Sequence, residues 1–231
     1  MQNKKIVAVD LFCGVGGLTH GLQKEGIEVI AGIDNDESCK YAYESNNNAT
    51  FISKDITQFT GNELKKMYPK NSIKVLVGCA PCQTFSQHTL KNKKRNRDKK
   101  WRLLYEFLRL IKESEPDLVS MENVPQLRKY KVFEDFVKGL IEEEYFVSYK
   151  VVNTHKYGVP QRRNRLVLLA SKHKEIKLIP ETHNSKNYVS IKKVIKYLPR
   201  IKDGEIDGKD PLHRSWNLSP INKKRIKQSK Q

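Results

Sequence analysis

Short runs of β-branched and apolar residues alternate with helix-period segments from Ile6 to Ala170, and this alternation limits the chain to few architectures. Ile6 to Phe12, Glu28 to Asp34, Ile73 to Val77, Leu118 to Met121, Phe146 to Val152 and Leu166 to Ala170 read as strands. Gly17 to Glu25, Glu37 to Asn46, Leu103 to Glu113 and Phe133 to Glu144 carry apolar residues at helical spacing. Strands that alternate with helices pack as a parallel sheet covered on both faces. The expected fold is therefore α/β, a doubly wound, mostly parallel, Rossmann-like sheet. At 231 residues the chain has room for one large core. The pattern degrades after Ala170. Lys172 to Asn187 is polar and turn-rich, Ile191 to Leu198 reads as a short helix ended by Pro199, and Asp203 to Pro220 reads as irregular. The expected division is a catalytic domain over 1–171 and, over 172–231, the irregular start of a second region. No internal repeat is visible.

One strand ends in an unusual way. After Ile73 to Val77 comes Gly78-Cys79-Ala80-Pro81-Cys82. Proline fixes its own φ and pushes its predecessor to an extended conformation, so Cys82 follows a stiff turn at a strand's carboxyl end. Open α/β sheets bind ligands along that edge, which makes Cys82 a candidate nucleophile. Cys79 and Cys82 also form a C-x-x-C pair, compatible with a redox dithiol or half of a zinc site. Zinc needs two further ligands; Cys13 and Cys39 lie far upstream and the six histidines are scattered, so no metal is expected. Cys39 reads as a structural cysteine.

The first strand runs into Asp10-Leu11-Phe12-Cys13-Gly14-Val15-Gly16-Gly17. Glycines let a backbone turn tightly before a helix N-terminus with free N–H groups. Asp34 ends the second strand, where an acid grips ribose hydroxyls in dinucleotide-binding folds. Asp55 follows Phe51 to Lys54, in reach of an adenine amino group. The spacing departs from G-x-G-x-x-G, so NAD and S-adenosylmethionine both remain open from these residues alone.

The charge balance narrows the partner. Lys and Arg number 44 against 26 Asp and Glu, a formal net charge of +18, and such an excess favours a polyanion, most commonly nucleic acid. Lys91 to Lys100 alone carries seven basic residues and one acid, just after the Cys82 turn. A second basic cluster spans Asn222 to Gln231. No apolar run reaches the roughly 18 residues of a membrane span, and no signal peptide is visible at Met1 to Lys5. Together with four cysteines outside any dense framework, this sets a cytoplasmic expectation.

DLFCGVGGLTHGL (10–22), GCAPCQTFSQ (78–87), MENVPQL (121–127) and YGVPQRRNRL (157–166) resemble, in order and spacing, four motifs of the DNA cytosine-5 methyltransferases of the bacterial modification type. The resemblance covers roughly residues 5 to 170. It implies S-adenosylmethionine as cofactor, lined by Phe12, Gly14 and Gly16. Asp34 would hold its ribose, Asn35, Asp55 and Ile56 would surround its adenine, and Leu104 would lie against it. Asn35 departs from the apolar or aromatic residue common there. Cys82 matches the nucleophile, Glu122 the acid, and Arg163 and Arg165 the arginines beside the cytosine and its phosphate. The implied DNA-facing set is Gln83, Ser86, Lys91, Lys93, Lys94, Arg95, Arg97 and Gln161.

The implied chemistry needs these residue types. Cytosine C5 is too weak a nucleophile to attack a sulfonium methyl, and a thiolate added at C6 makes it enamine-like. A carboxylic acid must then face N3 to offset charge on the ring. The base must leave the duplex to reach such a site, so Thr84 to Lys100 is expected to close over it and to meet phosphates. A transfer-RNA cytosine-5 methyltransferase, a non-catalytic nucleic-acid-binding chain and a Rossmann oxidoreductase are the competing readings. Members of this family continue to a final Asn-Gly-Asn-like motif, whereas 61 residues follow Ala170 here without one. The resemblance thus implies a fragment, or one half of a split enzyme completed in cis or by a second chain, with residues 172–231 opening a target-recognition region.

Overall fold

A computed structural model describes residues 4–81 and 102–229. Seven strands form one sheet: β1 (Ile6–Leu11), β2 (Glu28–Asp34), β3 (Thr50–Ser53), β4 (Ile73–Gly78), β5 (Leu118–Asn123), β6 (Phe146–Asn153) and β7 (Asn164–Ser171). Their order is β3-β2-β1-β4-β5-β7-β6. The first five run parallel, while β7 is antiparallel to both β5 and β6. The doubly wound, mostly parallel architecture expected from the sequence is therefore present. The order reverses between β1 and β4, so the carboxyl ends of those strands border the crevice where such sheets bind ligands.

Central β1 is buried from Val7 to Leu11, the continuous apolar run of a strand covered on both faces. Val7, Val9 and Leu11 face the larger core, where they meet Leu64 of α3 (Gly61–Met67), Phe107 and Ile111 of α4 (Arg102–Ser114), and Phe136 of α5 (Lys131–Glu142). Ala8 points the other way, with Val29, Val75 and Val77, against Leu18 and Leu22 of α1 (Gly17–Lys24). Helix α2 (Lys40–Asn46) follows a 3-10 turn, Glu37–Cys39, so the helix expected from Glu37 begins later. Helix α4 stops where Glu115 takes a left-handed φ of 50° before Pro116, which cannot continue a helix.

Two helices were not anticipated. Helix α3 starts with a capping box, in which Thr60 and Glu63 satisfy each other's main-chain N–H groups. After α6 (Ile191–Ile195), helix α7 (Pro220–Gln228) starts at Pro220, with the Ser219 side chain accepting from Asn222 N–H. A β-bridge, Ile206 to Arg214, lies within the stretch expected to be irregular. No described residue after Ser171 is buried. Among the described residues no helix is long and apolar enough to cross a membrane.

Candidate active site

The first wall is the turn from β1 into α1. Phe12 has a left-handed φ of 58°, and Gly14 and Gly16 have φ of 49° and 86°. Phe12 and Cys13 N–H both donate to Ile33 O, at 2.8 and 3.3 Å, tying the turn to β2. A Cβ on Gly16 would lie 2.3 Å from Asn47 Nδ2 and 2.8 Å from the Tyr43 ring, so only glycine fits. Cys13 is buried and Cys39 is half-exposed, the reverse of the expectation for Cys39 as an interior residue.

Asp34 closes β2. Its Oδ2 accepts from Gly14 N–H at 2.9 Å and its Oδ1 from Asp36 N–H at 3.0 Å, which fixes the carboxylate over the turn. Asp55 caps the 3-10 turn Ile56–Gln58, its Oδ1 accepting from both Thr57 N–H and Oγ1. Arg109 of α4 holds that turn from behind, donating to Ile56 O at 3.2 Å and Phe59 O at 2.9 Å.

These pieces enclose a cavity of about 550 Å³ that is lined by Phe12, Asp34, Asn35, Asp55 and Ile56, all sequence candidates. Ile33, Lys54, Thr57, Pro81, Arg102 and Leu103 complete the lining and were not anticipated. Leu104, expected against the cofactor, is instead 3% exposed in the core, and its neighbours Arg102 and Leu103 face the cavity. Phase explains the difference: Leu104 lies on the stripe with Phe107, Leu108 and Ile111 that packs on the sheet. A larger groove, about 780 Å³, runs past Phe133 of α5 and Tyr149 of β6. It holds none of the candidate residues, so we take the smaller cavity as the site.

The second wall lies across β4, β5 and β7. Glu122 belongs to β5 itself, one residue past the expected strand end, opposite Val167 of β7. Arg165 Nε meets Glu122 Oε1 at 2.5 Å, with side chains 15% and 30% exposed. Buried Asn123 donates from Nδ2 to Ala80 O at 3.0 Å and so pins the turn that leads to Cys82. Cys79 Sγ donates to Glu122 Oε2. Neither Cys79 nor Asn123 was selected from the sequence. Arg163 is exposed just before β7, and its main-chain oxygen accepts from Thr154 N–H at 3.0 Å. Gln161 is also exposed, and its main-chain oxygen accepts from Thr154 Oγ1. Cys82, Gln83, Ser86, Lys91, Lys93, Lys94, Arg95 and Arg97 lie outside the described residues, as does the Thr84 to Lys100 segment.

Comparison with known proteins gives the family. The family model for C-5 cytosine-specific DNA methylase matches residues 6–231. The chain belongs to that family. Within it, the chain is 52% identical to the type II methylase M.HgiDII of Herpetosiphon aurantiacus over 224 residues, 96% of this chain and 62% of that protein. It is 32% identical to the type II methyltransferase M.DdeI of Desulfomicrobium norvegicum, over 85% of this chain and 49% of that one. It therefore spans less than two thirds of the length of these relatives. The fold matches a solved structure of a protein encoded within an E. coli prophage, with TM-score 0.71 and 23% identity, over 87% of this chain and 57% of that one.

The glycine turn rests on a buried polar network. Thr19 Oγ1 donates to Asp10 Oδ2 at 2.8 Å and lies 3.0 Å from Tyr43 Oη. Among the described residues Asp10 Oδ1 has no hydrogen-bond partner. Burial pushes the Asp10 carboxyl up to about 7, against the opposing pull of the Thr19 hydrogen bond. Between roughly pH 4 and 7 the folded chain then keeps a proton that the unfolded chain releases, so stability falls as pH rises through that window and levels off above it. At about 1.4 kcal/mol per pKa unit, the effect is on the order of a few kcal/mol. Asp10→Asn should remove it. Thermal melts at pH 5 and pH 8 should show the wild type losing several degrees more than the variant, whereas parallel losses would contradict the burial argument.

Proposed function

We propose that the protein transfers a methyl group from S-adenosylmethionine to C5 of a cytosine rotated out of duplex DNA, through a covalent bond between Cys82 Sγ and cytosine C6, as a restriction-modification methylase does. The observation that carries this reading is the placement of Glu122. It is held by Arg165 at the sheet's carboxyl edge, and adjacent Asn123 ties down Ala80 in the turn that leads to Cys82, where Pro81 lines the cavity of Asp34 and Asp55.

The cavity suits the cofactor in size and chemistry. Its volume is in the range of small-molecule sites, and Asp34 and Asp55 offer acceptors to ribose hydroxyls and an adenine amino group. Phe12 and Ile56 add apolar surface. When bound, S-adenosylmethionine supplies an electrophilic methyl group. Cys82, as thiolate, adds to C6 of the base. Glu122 holds a proton at N3, which keeps negative charge off the ring as the thiolate adds, and the addition itself makes C5 enamine-like. Arg165 keeps the Glu122 carboxyl in place. Loss of the C5 proton to solvent, expulsion of the Cys82 thiolate and return of the N3 proton to Glu122 then restore the aromatic ring.

Bisulfite sequencing of DNA from cells expressing the full-length gene tests the reading. Protected cytosines confined to one short sequence are expected. Unmodified DNA together with methylated tRNA in the same cells would instead support the transfer-RNA alternative. The cofactor role has its own test. Removing the Asp34 carboxylate deletes a charged hydrogen bond of about 1.5–3 kcal/mol, so Asp34→Ala should weaken S-adenosylmethionine binding roughly ten- to a hundredfold. Asp34→Asn, which retains acceptor capacity for Gly14 N–H, should lose less. Unchanged affinity of the alanine variant by calorimetry would displace the ribose site.

A further inference from the structure

The geometry points to Cys79 as a positioning residue that locks the Glu122 carboxyl before the base arrives, an inference resting on Glu122 as the catalytic acid. Gly78 pairs with Met121 in the β4–β5 register, so residue 79 is level with residue 122. Side chains alternate along a strand, which puts Cys79 and Glu122 on the same face. Val167 is opposite Glu122 in β7, and Arg165, two residues before it, shares that face as well. Three neighbouring strands thus present a row of thiol, carboxyl and guanidinium.

The two carboxyl oxygens have different partners in that row. Arg165 Nε lies 2.5 Å from Oε1, and Cys79 Sγ donates to Oε2. The last torsion of a glutamate is soft and roughly two-fold, so one contact on one oxygen leaves the carboxyl plane free to turn. A second donor on the other oxygen stops that motion. An S–H group is a weak donor on a short side chain. It can hold Oε2 while leaving that oxygen's second lone pair open to a base, and it yields readily to a stronger partner. Pre-set orientation of an acid is worth most where the proton must meet one ring nitrogen. Glycine or alanine at position 79 would provide no donor.

Single-turnover methyl transfer by the full-length protein tests this role. Cys79→Ala should lower the rate constant about three- to tenfold, the size of one hydrogen bond's effect, with unchanged affinity for S-adenosylmethionine and for DNA. Cys79→Ser keeps a donor and should return the rate to within about twofold of wild type. In a Glu122→Gln background, Cys79→Ala should cause no further loss, because the pair acts as one unit. An unchanged rate in Cys79→Ala, an equal loss in both backgrounds, or a serine variant as slow as alanine would each overturn the role. A second readout does not need turnover. In Cys82→Ser protein, iodoacetamide labelling of Cys79, followed by peptide mass spectrometry, should speed up severalfold when Glu122 becomes Gln. A neighbouring carboxylate disfavours the reactive thiolate. Equal labelling rates would also overturn the proposal. Failure of wild type to methylate DNA would count against the proposed function, while the labelling comparison would still judge the Cys79–Glu122 pair.

Discussion

Cys82→Ser in the full-length protein is expected to abolish methyl transfer, with a fall of at least about a thousandfold, as for loss of a covalent nucleophile elsewhere. A cysteine of ordinary pKa, near 8.5, is already a few per cent thiolate at neutral pH. An alcohol is not appreciably ionised there. Folding and cofactor affinity should survive, because apart from Pro81 the cavity is built by residues remote in sequence from Cys82, among them Phe12 after β1, Asp34 at the end of β2, and Asp55 and Ile56 after β3. The turn before residue 82 is fixed independently, through Cys79 N–H to Leu11 O and Asn123 Nδ2 to Ala80 O. DNA carrying 5-fluorocytosine provides the positive counterpart. Fluorine at C5 cannot leave as a proton does, so wild type should accumulate a covalent adduct that survives denaturation, and the serine variant should not. Turnover retained by the serine variant, or an adduct mapped to another residue, would remove Cys82 from the mechanism.

The fold was legible because the central buried strands are compact apolar runs, as in Ile6 to Leu11 and Ile73 to Val77, followed by a turn or helix signal. The four-residue edge strand Thr50–Ser53, with only Phe51 buried, is too short to show such a run. Pairing was less legible. Strand runs carry no label for their neighbours, so the insertion of β7 between β5 and β6, antiparallel to both, emerged only in the structure. Helix α3 is seven residues long with few apolar positions, too short to show a period, although the spacing of Thr60 and Glu63 was a readable start signal. The first wall of the site was visible because glycines and acids at strand ends have local reasons to be there. Leu103 against Leu104 was not resolvable, since adjacent helix positions differ by about 100° and only packing sets the rotation. Cys79 and Asn123 depend on the β4–β5 register, which brings together residues 43 apart in the chain.

Glu122 offers the sharpest separation between binding and chemistry. Glu122→Gln keeps size and polarity but cannot deliver a proton to N3, so methyl transfer should fall by about 10² to 10⁴, the usual range for a general acid. Cofactor affinity should stay near wild type, because Glu122 does not line the 550 Å³ cavity. Arg165→Ala should cost less than the loss of the acid itself, yet more than an exposed ion pair, because the guanidinium is only 15% exposed and its removal leaves the half-buried carboxylate without this partner. Arg165→Lys should only partly compensate, since a flexible ammonium does not reproduce the planar donor geometry at Oε1. Combining Arg165→Ala with Glu122→Gln should add little to the glutamine variant alone, because the arginine acts through the acid. The adduct assay extends the argument. If the N3 proton assists thiolate addition, Glu122→Gln should slow adduct formation on 5-fluorocytosine DNA along with turnover. Adduct formation at the wild-type rate with lost turnover would place the role of Glu122 after the addition step, and full activity of the glutamine variant would remove it from the site.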